Sequence, residues 1–212
     1  MGREFLDIFE GWAEEYDNTV SGYDPEYKEV FHAYDDILVE VAKNSEGNIL
    51  EFGVGTGNLT EKLLERGHDI IGIEPSPAMK AIANAKLPEA LVMDGDFLEY
   101  PIPTIPIHTI VSTYAFHHLT DDEKDNAVKK FADILEVNGK VVFADTMFET
   151  LEAKEKKTSE AEEIGFTNLA ADLRREYYPT METIEGIFTK HNFTVSFKQM
   201  NEFVWLIIAK KE

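Results

Sequence analysis

The feature that most limits the fold of this chain is an apolar segment that leads into three glycines and then into a helix. Ile-Leu-Glu-Phe at 49–52 precedes Gly53, Gly55 and Gly57, and Asn-Leu-Thr follows. Glycine adopts positive φ readily and places no Cβ between the backbone and a ligand. The helix that follows points its free N–H groups at the same place. The sequence therefore predicts a turn that holds a nucleotide-like cofactor.

The spacing of these glycines separates two classes of cofactor. The dinucleotide fingerprint is G-x-G-x-x-G, and its third glycine would stand at position 58, where this chain has Asn58. An NAD-dependent oxidoreductase shares the strand, the glycine turn and the helix, so it stays an alternative at this point. Asn58 counts against that alternative.

The charge balance and the absence of cysteine exclude several functions. The 212-residue chain has 41 Asp and Glu against 20 Lys and Arg, and its formal charge of -21 repels nucleic acid backbones and anionic membranes. It has no cysteine, which excludes disulfides, iron–sulfur clusters and a cysteine nucleophile. The sequence has no signal-like start and no apolar run of about 18 residues. We expect a cytoplasmic protein with no nucleic acid or membrane partner.

Apolar patterns predict alternating strands and helices along most of the chain. The predicted strands cover 48–52, 69–73, 90–93, 109–112, 140–144, 193–199 and 202–209. Helices are predicted over 58–66 and 77–86, from a capping box at Thr120 to Asn138-Gly139, over 149–165 and from Thr180. Few residues separate the last two strands, which predicts an antiparallel hairpin. The predicted class is α/β, with a doubly wound, Rossmann-like sheet of seven mostly parallel strands and a C-terminal antiparallel hairpin.

The first 44 residues are predicted to be helical. The second of two helices there begins at Asp24-Pro25 and carries apolar residues from Tyr27 to Val41. Because both helices precede the sheet, they are available as a lid. We predict a single domain over 1–212. Its parts are a helical lid (1–44), a cofactor-binding core (45–148), a helical substrate-side segment (149–180), and a helix end with the closing hairpin (181–212).

Acidic residues follow the second and third predicted strands, at the sheet edge where open α/β sheets bind ligands. Glu74 lies 17 residues beyond Gly57, and a carboxylate there can accept hydrogen bonds from both hydroxyls of a ribose. Asp96 and Phe97 follow the third strand and are suited to an adenine. The structural alternatives are an acid near a helix dipole for Glu74 and an ordinary Asp-Gly-Asp turn for Asp96.

Taken together, these motifs resemble those of the class I S-adenosylmethionine (AdoMet)-dependent methyltransferases, and most closely the small YrrT-like methyltransferases. The matching segments are Glu51 with the glycine turn, Glu74, Gly95-Asp96-Phe97, and the strand-four exit 112–119, Ser-Thr-Tyr-Ala-Phe-His-His-Leu. The likeness is strong over 45–148. The closing hairpin and the two-helix start with Trp12-Ala-Glu-Glu-Tyr-Asp17 also fit.

The resemblance implies a role for each matching residue. The glycine turn would hold the methionine part of AdoMet, Glu74 the ribose, and Asp96 with Phe97 the adenine. Glu51 would help to place the methionine amine. Tyr16 would close over the cofactor from the lid, although a core aromatic on an amphipathic helix explains it equally well.

Methyl transfer depends mainly on bringing the nucleophile and the methyl group into line. Candidate contacts to the acceptor, each near a strand end, are Tyr114, His117, His118 and Asp145. A neutral histidine can remove a proton from an oxygen or nitrogen nucleophile, but packing before the capped helix also explains both histidines. The strand-four exit lacks the carboxylates that hold magnesium, so no metal is expected.

We therefore predict methyl transfer from AdoMet to a small molecule with an O, N or C nucleophile, by a monomer or homodimer. Two alternatives remain open at this point. One is the NAD-dependent oxidoreductase, and the other is a non-catalytic AdoMet-binding protein that works through partners.

Overall fold

A computed structural model describes residues 10–11 and 13–212. Seven strands form one sheet in the order β3-β2-β1-β4-β5-β7-β6. The strands are β1 (Ile49–Phe52), β2 (Ile70–Ile73), β3 (Leu91–Met93), β4 (Ile107–Thr113), β5 (Leu135–Thr146), β6 (Phe193–Gln199) and β7 (Val204–Lys211). The first five are parallel, whereas β7 pairs antiparallel with both β5 and β6. The predicted sheet and its antiparallel hairpin are confirmed.

Helices connect the strands and cover both faces of the sheet. Within the described residues they are α1 (Tyr16–Val20), α2 (Tyr34–Asn44), α3 (Asn58–Glu65), α4 (Pro77–Lys86), α5 (Asp121–Ile134), α6 (Leu151–Glu163), α7 (Thr167–Arg175) and α8 (Met181–Lys190). Ser76 caps α4, with Pro77 at its first position, and Thr120 with Glu123 forms the capping box of α5, as the sequence indicates.

The central strand explains why the sheet is covered on both faces. All four residues of β1 are buried, as expected of a parallel strand with helices on each side. Ile49 belongs to a core shared with α2, α3, α6 and α7, whereas Leu50 belongs to one shared with α5 and α8. The chain turns in opposite directions from β1 toward β2 and toward β4, which opens a crevice at the carboxyl ends of the strands.

The prediction of a second helix from Asp24-Pro25 is wrong for its first ten residues. The chain forms turns over 24–33 and becomes helical only at Tyr34. Tertiary partners use the carbonyls that a helix would need: Asn201 Nδ2 donates to Val30 O at 3.0 Å and to His32 O at 2.9 Å. Residues 3–9 and 12 of the predicted first helix lie outside the described residues.

The end of α5 also differs from the prediction. The helix ends at Ile134, and β5 begins at once and continues to Thr146, so Asn138-Gly139 lies within an irregular strand and not at the helix end. The register between β4 and β5 shifts at this point, and Asn138 takes a positive φ of 65°. This conformation is a bulge-like kink, which Asn and Gly tolerate as well as they tolerate a helix end.

No helix within 10–11 and 13–212 is long and apolar enough to cross a membrane.

Candidate functional site

A cavity of about 630 Å³ lies where the first five strands end. Its wall includes a residue at or just after the end of each of these strands: Gly53, Glu74, Asp96, Tyr114 and Thr146. Residues from the N-terminal segment and from the region of α7 complete the wall. The sheet therefore gathers most of the predicted site residues around one cavity.

The glycine turn presents its backbone to this cavity. Gly53 and Gly55 line the cavity and have φ values of 68° and 58°. A Cβ on Gly53 would lie 2.8 Å from the Ala115 Cβ, whereas a Cβ on Gly55 would meet no protein atom within 4 Å. Gly55 thus leaves open a space that a side chain would fill, which fits the close approach of a cofactor. Gly57 is outside the cavity wall, and its Cβ would press on Leu87 at 3.0 Å.

Glu74 joins the end of β2 to the glycine turn. One carboxylate oxygen accepts a hydrogen bond from Gly55 N at 2.7 Å, and the other accepts one from Ser76 N at 2.8 Å. Burial raises the pKa of Glu74 to about 6, although these two backbone hydrogen bonds oppose the increase. Glu74 is therefore charged at neutral pH, and its oxygens keep further lone pairs for ligand hydroxyls.

Asp96 and Phe97 form the wall beyond β3. Asp96 Oδ1 accepts hydrogen bonds from Leu98 N at 2.8 Å and Glu99 N at 2.9 Å, which is the turn geometry of the structural alternative. Phe97 is buried, and its ring stacks on Phe52 at 5.0 Å between centroids. Both residues also line the cavity, so the turn geometry leaves the adenine role open.

Glu51 lies behind the glycine turn and outside the cavity wall. It is 1% exposed, and the Thr60 hydroxyl on α3 donates to it at 2.7 Å. Burial raises the pKa of Glu51 to about 8, more than the Thr60 hydrogen bond lowers it. The hydrogen bond of Glu51 therefore joins β1 to α3, and the charge of Glu74, which lines the cavity, also raises its pKa.

The N-terminal segment around Tyr16 and Asp17 lies beside the cavity, next to the glycine turn. Tyr16 lines the cavity, and its neighbour Asp17 accepts hydrogen bonds from Thr56 Oγ1 at 2.7 Å and Asn58 Nδ2 at 2.9 Å. Asn58 also accepts one from Lys86 Nζ at 2.9 Å. The asparagine at the place of the third dinucleotide glycine thus holds the N-terminal segment against the turn.

His117 is held by carboxylates at both ring nitrogens. Its Nδ1 is 2.5 Å from Asp145 Oδ1, and its Nε2 is 3.2 Å from Glu176 Oε2. Its backbone N donates to Asp145 Oδ2 at 2.9 Å, and the Tyr178 ring stacks on the imidazole at 4.7 Å. Burial lowers the pKa of His117, but Asp145 and Glu176 outweigh it and raise the pKa to about 9. The imidazole therefore carries both protons at neutral pH.

His118 and Tyr114 line the same wall of the cavity as His117. Burial, together with the charge of His117, lowers the pKa of His118 to about 3, so its ring is neutral. Tyr114 has a φ of 52°, rare for a residue other than glycine. Its ring packs on Phe31 at 5.1 Å and its hydroxyl donates to Val30 O at 3.4 Å. Backbone strain of this kind is typical of functional sites.

The sequence placed the segment after α7 on the substrate side but did not identify Glu176 as a site residue. Glu176 and Tyr178 line the cavity, and the Tyr178 hydroxyl donates to Glu176 Oε2 at 2.5 Å. Among the neighbouring tyrosines, Tyr27 also lines the cavity, whereas Tyr23 is 81% exposed and Tyr177 39% exposed. The acid and tyrosine after a predicted helix were the available signal, but only the fold places them against His117.

One group of the described residues has the spacing of a metal site. Ligand-type atoms of His117, His118 and Glu176 lie within 4.8 Å of one another. His117 Nε2 and Glu176 Oε2 already pair with each other at 3.2 Å, so two of these three residues are engaged without a metal. The expectation that no metal binds stays a prediction.

Comparisons with known proteins agree with this geometry. A family profile described as a methyltransferase domain matches residues 49–139. A relative from Oceanobacillus iheyensis, named an uncharacterized methyltransferase, is 59% identical over 100% of this chain and 99% of its own length. The uncharacterized methyltransferase YrrT of Halobacillus halophilus is 52% identical over the same shares. The structure of magnesium protoporphyrin IX methyltransferase from Synechocystis, at 15% identity and a TM-score of 0.77, covers 100% of both chains and shows the shared fold.

These findings confirm the resemblance found in the sequence, including the YrrT-like group and AdoMet as the cofactor. They set aside the NAD-dependent oxidoreductase and the non-catalytic binding protein. Because relatives of more than half identity match the chain along its whole length, this protein belongs to the class I AdoMet-dependent methyltransferases.

Proposed function

We propose that the protein transfers a methyl group from AdoMet to a small molecule bound beside Tyr114, His117 and His118. One observation carries this proposal. A single cavity joins the predicted cofactor residues Gly55 and Glu74 to the wall of His117 and Glu176. The cavity lies within the size range of small-molecule sites, which is about 300–1,000 Å³.

The cofactor end of the cavity would hold AdoMet, which supplies the methyl group on its sulfonium. In this assignment Gly53 and Gly55 give the backbone room for the methionine part, and Glu74 accepts the ribose hydroxyls. Asp96 and Phe97 face the adenine, and Tyr16 covers the cofactor. Gly57 and Glu51 would act indirectly, since their contacts hold α4 and α3 in place behind the turn.

The acceptor end supports transfer by proximity and orientation rather than by a strong base. His117 already carries both protons, and His118, with a pKa of about 3, holds an additional proton poorly. Neither pKa lies near 7, where general base catalysis works best. We therefore assign His117, His118 and Tyr114 to contacts with the acceptor. Aligning reactants contributes about 7–11 kcal/mol in well-oriented systems.

The proposed acceptor carries an O, N or C nucleophile that receives the methyl group. The predictions of a small-molecule acceptor, no nucleic acid or membrane partner, a cytoplasmic location and a monomer or homodimer stand with this proposal. The surplus of acidic residues supports the absence of a nucleic acid or membrane partner, since it disfavours polyanionic acceptors.

Radiolabelled AdoMet tests the acceptor directly. The protein is incubated with methyl-labelled AdoMet and a cell extract, which is then separated into small metabolites, protein and nucleic acid. We expect label in the small-metabolite fraction. Label confined to protein or nucleic acid would contradict a small-molecule acceptor.

Ligand-dependent melting provides the matching test of the cofactor end. At 100 times its dissociation constant a ligand stabilises the fold by about 2.7 kcal/mol, which is roughly 5–10 °C for a chain of this size. AdoMet and S-adenosylhomocysteine should raise the melting temperature by that amount, and NAD should not.

A further inference from the structure

Lys124 is a fully buried lysine on α5 that does not itself line the cavity. Its ammonium donates to the carbonyl of Leu119, to the carbonyl of Tyr177 at 2.7 Å, and to Asp121 Oδ1 at 3.4 Å. Buried lysines are rare because removing the charge from water is costly. A lysine in this position therefore calls for a reason.

The two carbonyls belong to the two segments that form the acceptor wall. The turn at 116–118, followed by Leu119, carries His117 and His118, and the segment after α7 carries Glu176 and Tyr178. The segments also meet directly, since Tyr177 N donates to His117 O at 3.2 Å. The ammonium of Lys124 adds a further connection between them, because it donates to a carbonyl of each segment.

We infer that Lys124 is a positioning residue that keeps Glu176 against His117 by joining the segments that carry them. The inference rests on the proposed function in one respect, namely that this wall receives the acceptor. A lysine suits the task because its three N–H donors can serve two carbonyls and a carboxylate at once. An apolar side chain would remove the donor that both carbonyls share, which is unfavourable in a buried place.

The charged groups around His117 come from three elements. Asp145 lies near the end of β5, the neutral His118 follows His117 in the same turn, Asp172 and Arg175 are on α7, and Glu176 comes directly after α7. The Tyr178 hydroxyl shares the Glu176 oxygen. Asp145 and Glu176 are the partners that hold the proton on His117. A change in the position of Glu176 is therefore visible in the titration of His117.

The experiment is an NMR titration of the histidine rings in Lys124→Met, with His117 assigned by its loss in His117→Gln. If Lys124 positions Glu176, the pKa of His117 should fall from about 9 toward the ordinary value of 6.5. If Lys124 acted only through its charge, removing a nearby positive charge would raise the pKa of His117. A raised or unchanged pKa would overturn the inference.

Two further variants calibrate this result. Glu176→Gln gives the pKa of His117 without its second carboxylate, and adding Lys124→Met to that variant should lower the pKa no further. Lys211→Met is the matched control, because Lys211 Nζ also donates to a backbone carbonyl, that of Leu135 at 2.7 Å, away from the cavity. The control should leave the titration of His117 unchanged.

Lys124→Gln protects the test against a loss of folding, because its amide keeps a donor for one carbonyl. The same criterion applies to it: a lower pKa of His117 supports the inference and an unchanged or higher one contradicts it. The melting shift with AdoMet is measured in the same samples. If wild-type protein shows no such shift, the proposed function fails while the titration still reports on Lys124.

Discussion

The two ends of the cavity are built in different ways. At the cofactor end, carboxylates bond to nearby backbone: Glu74 accepts from Gly55 N and Ser76 N, and Asp96 from Leu98 N and Glu99 N. At the acceptor end, side chains bond to side chains far away in sequence, as His117 does to Asp145 and Glu176. The first end depends mainly on backbone N–H groups of short segments after strands, to which Asp17 adds its side-chain bonds, whereas the second depends on side chains that meet only in the folded chain.

This difference indicates how enzymes of one family can bind the same cofactor and act on different acceptors. Backbone N–H groups are present whatever the side chains are, so a glycine turn and an acid at a strand end hold the same cofactor in many sequences. The acceptor wall is a network of specific side chains. It can change when one segment, such as the one after α7, changes.

The largest expected effect comes from Glu74→Gln, at the cofactor end. A hydrogen bond to a charged group contributes about 1.5–3 kcal/mol, so AdoMet binding should weaken by roughly 10–100-fold. Wild-type affinity should also fall as pH drops through about 6, because the Glu74 carboxylate is then protonated. The affinity of Glu74→Gln should be flat there. Titration calorimetry at several pH values measures both effects.

Asp94→Asn is the control for this variant. Asp94 follows β3, next to β2 in the sheet, and its side chain is exposed. Among the described ion pairs it contacts only Lys80, at 3.8 Å. It should bind AdoMet as wild type does. Affinity of Glu74→Gln within threefold of wild type would remove Glu74 from the cofactor site.

Asp145→Asn should break the acceptor end and leave the cofactor end intact. The amide has no charge to hold the proton on His117, so the pKa of His117 should fall well below 9. Methyl transfer should drop roughly tenfold or more, since about 1.4 kcal/mol of lost alignment is already tenfold. AdoMet affinity should stay the same. NMR titration, turnover and calorimetry give the three values.

The surface provides a matched control in Asp125→Asn. Asp125 pairs with His191 at 3.0 Å and lies away from the cavity. This variant tests whether losing any histidine–carboxylate pair disturbs the protein. Equal loss of turnover in both variants would mean that the Asp145 pair has no special place in the site.

A smaller effect is expected from Asp17→Ala, which releases the N-terminal segment from the glycine turn. The variant loses the bonds of Asp17 to Thr56 and Asn58, so AdoMet should dissociate roughly 3–10-fold faster. Stopped-flow displacement measures this rate. Asp35→Ala, which breaks the surface pair with Lys62, should have no effect. Unchanged dissociation in Asp17→Ala would show that the segment does not retain the cofactor.

The smallest effect concerns the stability of the free protein. Burial raises the pKa of Glu51 to about 8, from an ordinary value of 4.5. A carboxyl group whose pKa is raised in the folded state contributes its full stabilisation at pH values below its ordinary pKa of 4.5. This stabilisation is lost as the pH rises through 8. Wild type should therefore lose more melting temperature than Glu51→Gln between pH 6 and 9, at about 2–4 °C per kcal/mol. Parallel curves would contradict this assignment.

The sequence predicted the sheet and the places of the cofactor residues because both depend on local patterns. Strands with apolar residues on both faces, turns rich in glycine and helix caps such as Ser76 and Thr120 are readable without a structure. The helix predicted for segment 24–33 does not form because Asn201, far away in sequence, donates hydrogen bonds to backbone carbonyls of this segment. No local pattern reveals such a partner.

The sequence by itself determined the glycine turn at 53–57, the acid that follows β2 and the alternation of strands and helices that brings them to one edge of a parallel sheet. Their physical basis is local, in backbone conformation and apolar periodicity. Only the tertiary structure decided that Glu176 and Asp145 hold His117 as a cation and that Lys124 joins the segments that carry this network. Those states depend on burial and on charges far apart in the chain, which distance in space sets and sequence spacing does not.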